Sequence, residues 1–279
     1  MTAGIPPFYL ADGRAMVSLG PVAATRHCSF RCPFCYVESP AFVRYKSWPV
    51  EQTLEWVRTN LSQINVIYVS GDTDSFAPPR TGAGLSLLGA LADLGRDLLF
   101  TTRHVFVRSE EWHELKGIAE RVRSVGRNPI ACVSVCQLSR PDLEPRPIAQ
   151  PAVRIEQLGQ LNAVGWTSVL AMRPIMPGVP ATDFERILRL AVRHVSRCLI
   201  SPYYVDPNSK QWLPQDGTAL GPSPLYFNIG AYDQWLTIEP DVGVLDAIRQ
   251  TATQLGVELF DHSDAVVRSI RAESEKRKK

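Results

Sequence analysis

Short runs of consecutive apolar residues alternate with longer segments in which apolar residues recur every three or four positions. The short runs are typical of buried strands, and the longer spacing is typical of amphipathic helices. The predicted strands are Val22–Thr25, Val66–Ser70, Leu98–Thr102, Ile130–Leu138, a run that begins at Thr167, and Arg197–Val205. The predicted helices follow them near Leu54–Ile64, Leu85–Leu94, Ser109–Val122, Val153–Leu161 and Thr182–His194, with N-terminal caps at Ser109 and Thr182.

A strand followed by a helix, repeated about six times, predicts an α/β fold with a parallel sheet and helices outside it. Because crossovers between parallel strands are right-handed, the sheet is expected to curl into a partial (βα)6 TIM-like barrel. We assign residues 1–200 to this core barrel, and residues 201–279 to a C-terminal extension that completes or covers it. In such barrels the loops at the carboxyl ends of the strands carry the chemistry.

The composition is that of an ordinary globular protein, with 45% hydrophobic residues, 21% charged residues and a formal net charge of +2. So small a charge does not indicate a dedicated nucleic-acid surface, although it does not exclude one. The first residues contain neither a basic leader nor a long apolar run, which predicts a cytoplasmic protein without a membrane helix. Thiols stay reduced in the cytoplasm, so disulfides are not expected.

Three of the six cysteines lie within eight positions, in the segment RHCSFRCPFC. The spacing of Cys28, Cys32 and Cys35 allows three thiolates to face one centre. A structural zinc ion needs four ligands, and no second cysteine or histidine pair with suitable spacing follows. A [4Fe–4S] cluster normally takes four thiolates, so three would leave one iron open to another ligand. Zinc remains the alternative on the residues alone.

The motif C-x3-C-x2-C followed by an aromatic residue, here Tyr36, resembles the signature of radical S-adenosylmethionine (SAM) enzymes. The resemblance implies that the three cysteines hold a [4Fe–4S] cluster whose open iron binds SAM, and that Tyr36 contacts the adenine. It further implies that SAM is cleaved to methionine and a 5′-deoxyadenosyl radical, which takes a hydrogen atom from a substrate. An external electron donor such as flavodoxin or ferredoxin would reduce the cluster.

Segments downstream resemble the spore photoproduct lyase-like branch of that superfamily. Gly71, Asp72 and Thr73 follow the second predicted strand, where the family holds the SAM amino group, although only Gly71 and Asp72 match its Gly-Gly-Glu-like pattern. Arg103 occupies the place of a basic residue that faces the SAM carboxylate, and Ser134 is a further candidate SAM contact. The alternative for the segment after the second strand is an Asp-rich turn, and the alternative for Arg103 is a surface arginine without a ligand.

Arg173 and the cysteines outside the motif each allow a functional and a structural interpretation. Arg173 lies in an apolar strand, so it is expected either to contact a ligand carboxylate, as a cofactor-binding residue, or to pair with an acidic neighbour. Cys132, Ser134 and Cys136 are expected to share one face of a strand, because side chains alternate with period two, and Cys136 would lie nearest the mouth of the barrel if that face points inward. Cys136, and less so Cys198, could donate hydrogen to a substrate radical, but free cysteines are more often small buried apolar residues.

The segment from Pro207 to Tyr232 lacks periodicity and is too long for a plain connector. Its aromatic side chains, with Tyr203, Tyr204 and Trp235, are expected to cover the open side of the barrel or to line a substrate pocket. The basic tail SEKRKK is expected to be a solvated end.

The sequence therefore predicts a radical SAM enzyme that acts on a substrate in its barrel. Modest charge and the lack of an added binding domain favour a small biosynthetic metabolite. A DNA lesion repair enzyme of the spore photoproduct lyase type and a zinc-stabilised binding module are the alternatives.

Overall fold

The computed structural model describes residues 6–21, 28–38, 46, 48–205, 220–222, 236–238 and 240–277. Its main element is an eight-stranded sheet, with the strands β1 Phe8–Ala11, β2 Arg14–Val17, β3 Val66–Val69, β4 Asp97–Thr102, β5 Pro129–Ser134, β6 Thr167–Met172, β7 Arg197–Ile200 and β11 Glu258–Phe260. A small second sheet contains β8 Tyr203–Val205, β9 Leu220–Pro222 and β10 Leu236–Ile238.

The order in the large sheet is β1-β2-β3-β4-β5-β6-β7-β11, and every neighbouring pair is parallel except β1 and β2. Within the described ranges β1 and β11 are the two edges, so the sheet is an open barrel. The predicted α/β partial barrel is confirmed. Strand β11 comes from the C-terminal extension and pairs with β7, with Leu259 opposite Cys198.

The helices are α1 Val50–Thr59, α2 Thr81–Leu91, α3 Ser109–Ser124, α4 Pro151–Ala163, α5 Ala181–Ala191, α6 Val242–Leu255 and α7 Ser263–Lys276. None of them, over the part of the chain that is described, is long and apolar enough to cross a membrane.

The two predicted helix caps are wrong. Helix α3 begins at Ser109, and the Oε2 atom of Glu111 instead accepts from the backbone N–H groups of Val107 and Arg108, at 3.0 and 3.1 Å. Helix α5 begins at Ala181, and no side chain caps it. Ser109 is a residue type that can cap a helix, but at the start of α3 the carboxylate of Glu111 accepts the backbone hydrogen bonds.

The N-terminal hairpin β1–β2 was not predicted, and the predicted strand Val22–Thr25 lies outside the described residues. The hairpin turns at Asp12 and Gly13, which have φ values of 49° and 75°. Asp-Gly between two short strands is a strong local signal for such a turn, so the sequence did contain it. The hairpin matters because β2 pairs with β3 and so extends the parallel sheet on that side.

The strands separate two layers of core because their side chains alternate between the two faces. The outer layer packs the sheet against helices and contains Phe100, Leu158 and Trp166. The inner layer lies inside the barrel, and α7 contributes to it from the C-terminal extension. Its buried members are Met16, Val66, Tyr68, Leu99, Ile130, Cys132, Val169, Ala171, Leu199, Val266, Val267 and Ile270.

Helix α7 thus packs Val266, Val267 and Ile270 into the inner core. Arg271 pairs with the buried carboxylate of Asp97, and Ser274 donates to Asn128 at 2.9 Å. In the tail SEKRKK, Ser274 is half-buried, whereas Glu275, Lys276 and Arg277 are exposed, as predicted for a solvated end, although the helix continues to Lys276. Residues 278 and 279 lie outside the described ranges.

Candidate active site

A cavity of about 230 Å³ opens at the carboxyl ends of the parallel strands. Strands β3 to β7 each deliver side chains to it at or just beyond their last residue, as expected for a barrel of this kind. The cysteine loop contributes Cys32, Phe34, Cys35 and Tyr36. The cavity therefore unites most of the residues that the sequence selected, from segments spread over more than half of the chain.

The cysteine loop is compact around Cys32 and Cys35, because the Cys35 N–H donates to the Cys32 carbonyl at 3.0 Å. Arg31 has a positive φ of 55°, which bends the chain between the first and second cysteines. All three cysteines are half-buried and none forms a disulfide. Cys32 and Cys35 line the cavity, whereas Cys28 packs beside Phe30.

Burial raises the pKa of the Cys28 thiol to about 12, and burial also raises the pKa of Cys32. Thiolates at such positions need cations beside them. Among the described residues, no three His, Cys, Asp or Glu side chains are grouped as a site for a single metal ion. A four-iron cluster does not need them to converge, since each thiolate binds a different iron. Three cysteines in one loop, with no fourth ligand among the residues that the structure describes, therefore fit an iron–sulfur cluster better than zinc.

Asp72 lies at the centre of a hydrogen-bonded group at the end of β3. The Tyr36 hydroxyl donates to its Oδ1 atom at 3.0 Å, and the Tyr9 hydroxyl donates to its Oδ2 atom at 3.0 Å. Burial, and then the Asp72 charge, raise the pKa of Tyr36 well above its ordinary value, so its proton stays in place. Tyr36 and Asp72 were selected separately from the sequence and are hydrogen-bond partners in the structure. Tyr9, the second donor to Asp72, was not predicted as a site residue.

Gly71 precedes this carboxylate and packs closely against the inner core. A Cβ atom at Gly71 would lie 2.1 Å from the Met16 methyl carbon. Thr73 is also placed near the site, but it is buried and does not line the cavity. Of the three predicted residues of this segment, Gly71 and Asp72 therefore face the cavity.

Asp74 holds the loops after β3 and β4 together. Its carboxylate accepts from Thr102 Oγ1 at 2.9 Å, from the Arg103 N–H at 2.7 Å and from the Phe76 N–H at 3.0 Å. Burial raises its pKa, although these hydrogen bonds oppose the rise. Asp74 thereby fixes the backbone from which Arg103 projects.

Arg103 reaches from β4 across to the cysteine loop. Its guanidinium lies 5.4 Å from the centre of the Phe34 ring, and its Nη2 atom donates to the Arg173 carbonyl at 2.8 Å. Burial alone would lower its pKa, but the neighbouring Cys32, Cys136 and Glu144 hold that pKa above the ordinary value. A cation therefore lies beside the thiols that the sequence assigned to the cluster.

A buried ion-pair network holds Arg103 from behind. Glu144 accepts from Arg103 Nε at 3.3 Å, from Arg154 Nη1 at 2.9 Å and from Gln137 Nε2 at 2.8 Å. Burial alone would raise the pKa of Glu144, but Arg154 and Arg103 keep it below its ordinary value. Neither Glu144 nor Arg154 was selected from the sequence as a site residue.

The remaining candidates divide between cavity and core. Ser134 and Arg173 line the cavity, and the Ser134 hydroxyl donates to the Arg173 carbonyl at 3.3 Å. Cys132 lies in the inner core, whereas Cys136 and Cys198 lie in the outer core. The expectation that Cys136 shares a face with Cys132 is wrong, because β5 ends at Ser134. The role of Cys136 as a hydrogen donor stays a prediction.

The C-terminal aromatic residues are described only in part. Tyr203 and Tyr204 line the cavity, and the Tyr204 ring lies 6.5 Å from the ring of Tyr36. The other members of that group lie outside the described residues, namely Trp212, Tyr226, Tyr232 and Trp235.

Comparison with known proteins was consistent with this geometry. A family model for the radical SAM superfamily matches residues 22–191. No curated protein sequence matches the chain.

Solved structures share the fold at low identity. SuiB from Streptococcus suis bound to S-adenosylmethionine is 12% identical, with a TM-score of 0.58 over 90% of this chain and 50% of SuiB. SuiB bound to its precursor peptide SuiA is 14% identical, with a TM-score of 0.53 over 73% of this chain and 42% of SuiB. The chain thus spans about half of SuiB or less.

A spore photoproduct lyase variant with bound AdoMet and dinucleoside spore photoproduct is 10% identical, with a TM-score of 0.63. That match covers 89% of this chain and 76% of the lyase. At such identities the likeness shows the fold alone.

Proposed function

Because this chain belongs to the radical SAM superfamily, whose enzymes use a [4Fe–4S] cluster and SAM, we propose that it cleaves SAM reductively and takes a hydrogen atom from a small metabolite. The observation that carries the proposal is the cavity itself. It gathers Cys32, Cys35, Tyr36, Asp72 and Arg103 at the carboxyl ends of the strands.

Cys28, Cys32 and Cys35 would hold the cluster. When bound, the cluster and SAM together supply the one-electron chemistry that removes hydrogen from a substrate carbon. Arg103 would stabilise the negative charge of the thiolates, since its cation lies among the neighbours Cys32 and Cys35. The Glu144–Arg154 network keeps that guanidinium in place.

Asp72 supports an ammonium-binding role in SAM recognition. Its carboxylate faces the cavity and is oriented by two tyrosine hydroxyls, so its rotamer is set before a ligand arrives. A preorganised carboxylate binds a cationic amine with charge-assisted hydrogen bonds. Ser134 and Gly71 line the same cavity and complete the proposed SAM contacts.

A small substrate is favoured by the net charge of +2, which does not indicate a dedicated nucleic-acid surface. A DNA lesion lyase is the second candidate, since the fold is shared with spore photoproduct lyase. It predicts affinity for duplex DNA that falls steeply with salt concentration, because binding releases counterions. Binding of a DNA duplex that does not weaken with added salt would contradict that candidate.

The test uses protein purified and reconstituted without oxygen. We expect about four irons and four sulfides per chain, and 5′-deoxyadenosine after addition of dithionite and SAM. Cys32→Ala should lose both the cluster and the product. Cys198→Ala is the matched control, because Cys198 lies in the outer core away from the cavity, and it should keep both. A colourless wild-type protein with one bound zinc would overturn the proposal.

A further inference from the structure

We propose that Arg173 binds an oxyanion group, a carboxylate or a phosphate, of the substrate that shares the cavity with SAM. The inference rests on the proposed function, because it names the class of substrate for that cavity. From the sequence, Arg173 was expected either to bind the cofactor or to form an ion pair with an acidic neighbour.

The Arg173 guanidinium has no acidic partner within ion-pair distance among the described residues. The other cavity arginines do: Arg103 pairs with Glu144 at 3.3 Å, and Arg14 pairs with Asp12 at 3.3 Å. Arg173 is half-buried and lines the cavity. A guanidinium held in a partly apolar interior is costly without a counter-charge. The counter-charge must come from what enters the cavity.

The backbone of Arg173 lies two residues beyond Ala171, the strand partner of Ser134, and the Arg173 carbonyl accepts a hydrogen bond from the Ser134 hydroxyl. The charge of Arg173 acts on Tyr68 and Cys132, which lie two residues before the strand-end positions Ser70 and Ser134. Burial raises the pKa of both groups, that of Cys132 to about 12. Both are therefore neutral near pH 7 and cannot neutralise Arg173.

The guanidinium groups of Arg173 and Arg103 act on different neighbours, although the Arg173 carbonyl accepts a hydrogen bond from Arg103. Arg103 is the cation beside Cys32, Cys35 and Phe34. Arg173 is associated with the inner residues of β3 and β5 instead. Two cavity cations with different neighbours suit two different anionic groups, and the family resemblance already assigns Arg103 to the SAM carboxylate.

Hydroxyl donors surround the inner part of the cavity. The Tyr68 hydroxyl shares a hydrogen bond of 2.8 Å with Thr101, and both residues line the cavity. Ser201 lines it from the end of β7. Arg14 adds a second guanidinium, held by a hydrogen bond of 3.2 Å to Ser263. Guanidinium groups with hydroxyl donors form the set that suits a carboxylate or a phosphate.

The test is equilibrium dialysis of radiolabelled succinate and inorganic phosphate against the full chain, reconstituted with its cluster and loaded with SAM. Succinamide, uncharged but of similar shape, is the matched control ligand. The variants are Arg173→Gln, Arg173→Lys and, as a surface control, Arg249→Gln, since Arg249 pairs on the exposed face of α6. Melting temperature and iron content of each variant report folding and cluster loading.

We expect succinate or phosphate to bind wild type and Arg249→Gln, and to bind Arg173→Gln at least about tenfold more weakly. Arg173→Lys, which keeps the charge, should fall between them, and succinamide should not bind. Preference for succinate identifies a carboxylate substrate, and preference for phosphate a phosphorylated one.

Equal binding of the probes to wild type and Arg173→Gln would overturn the proposal, as would failure of both probes to bind wild type at millimolar concentrations. A tenfold loss of SAM affinity in Arg173→Gln with unchanged probe binding would also overturn it and assign Arg173 to SAM. Failure of the proposed function is a different result, because it appears as missing iron or missing 5′-deoxyadenosine in wild type.

Discussion

Tyr9 and Asp72, 63 positions apart in the chain, meet at the cavity, where the tyrosine hydroxyl donates to the carboxylate at 3.0 Å. Tyr9 comes from the edge strand β1 and Asp72 from the loop after β3. The hairpin that was not predicted therefore takes part in the site, since it orients the carboxylate proposed to bind the SAM amino group.

Asp72→Asn should weaken SAM binding more than Tyr9→Phe does. Loss of the charge removes a charge-assisted contact of about 1.5–3 kcal/mol, whereas loss of the hydroxyl removes a neutral-donor bond of about 0.5–1.5 kcal/mol. Dialysis of labelled SAM against reconstituted protein measures both. Asp93→Asn is the control, because Asp93 pairs with Arg121 at the surface. Equal losses in the control and in Asp72→Asn would contradict the assignment.

Glu144→Gln should destabilise the protein by about 3–5 kcal/mol, because it leaves the buried Arg154 without its counter-charge. Urea unfolding of the cluster-free protein measures the change. Asp246→Asn, which breaks an exposed pair with Arg249, should cost only about 0–1 kcal/mol. A cost for Glu144→Gln no larger than that of the control would show that the network is not a structural requirement.

Ile270→Asp should destabilise the fold strongly, by about 4 kcal/mol or more, since it places a charge in the inner core. Val242→Asp makes the same chemical change at a position that is 70% exposed and should stay within about 0.5 kcal/mol of wild type. Thermal and urea unfolding compare the two. Similar effects would mean that α7 does not pack into the inner core in solution.

Cys198 should make the free energy of unfolding fall as the pH rises above 9.0. Burial raises its pKa from 9.0 to about 12, so the folded state holds the thiol proton more tightly than the unfolded state. Its contribution is complete below pH 9.0 and is lost as the pH rises from 9.0 toward 12. The difference in unfolding free energy between wild type and Cys198→Ala should therefore shrink from pH 8 to pH 10.5. A constant difference would contradict the raised pKa.

The sequence predicted the parallel strands well because each is a buried apolar run with few alternatives. Val66–Val69, Asp97–Thr102 and Arg197–Ile200 all lie within or next to predicted ranges. Most of the site residues that it selected line the cavity, since the carboxyl ends of parallel strands meet at one edge of a sheet. The residue partners of Asp72 and Arg103 were not predicted.

The order of strands and helices and the three-cysteine motif with Tyr36 were determined by the sequence alone, because both are local patterns along the chain. Tertiary structure decided which side chains meet: Tyr9 with Asp72, Glu144 with Arg103, and α7 with the barrel interior. It also decided that Cys136 packs in the outer core, since side chains alternate only as far as the strand extends. Such contacts depend on which distant segments become neighbours, and no local spacing records that.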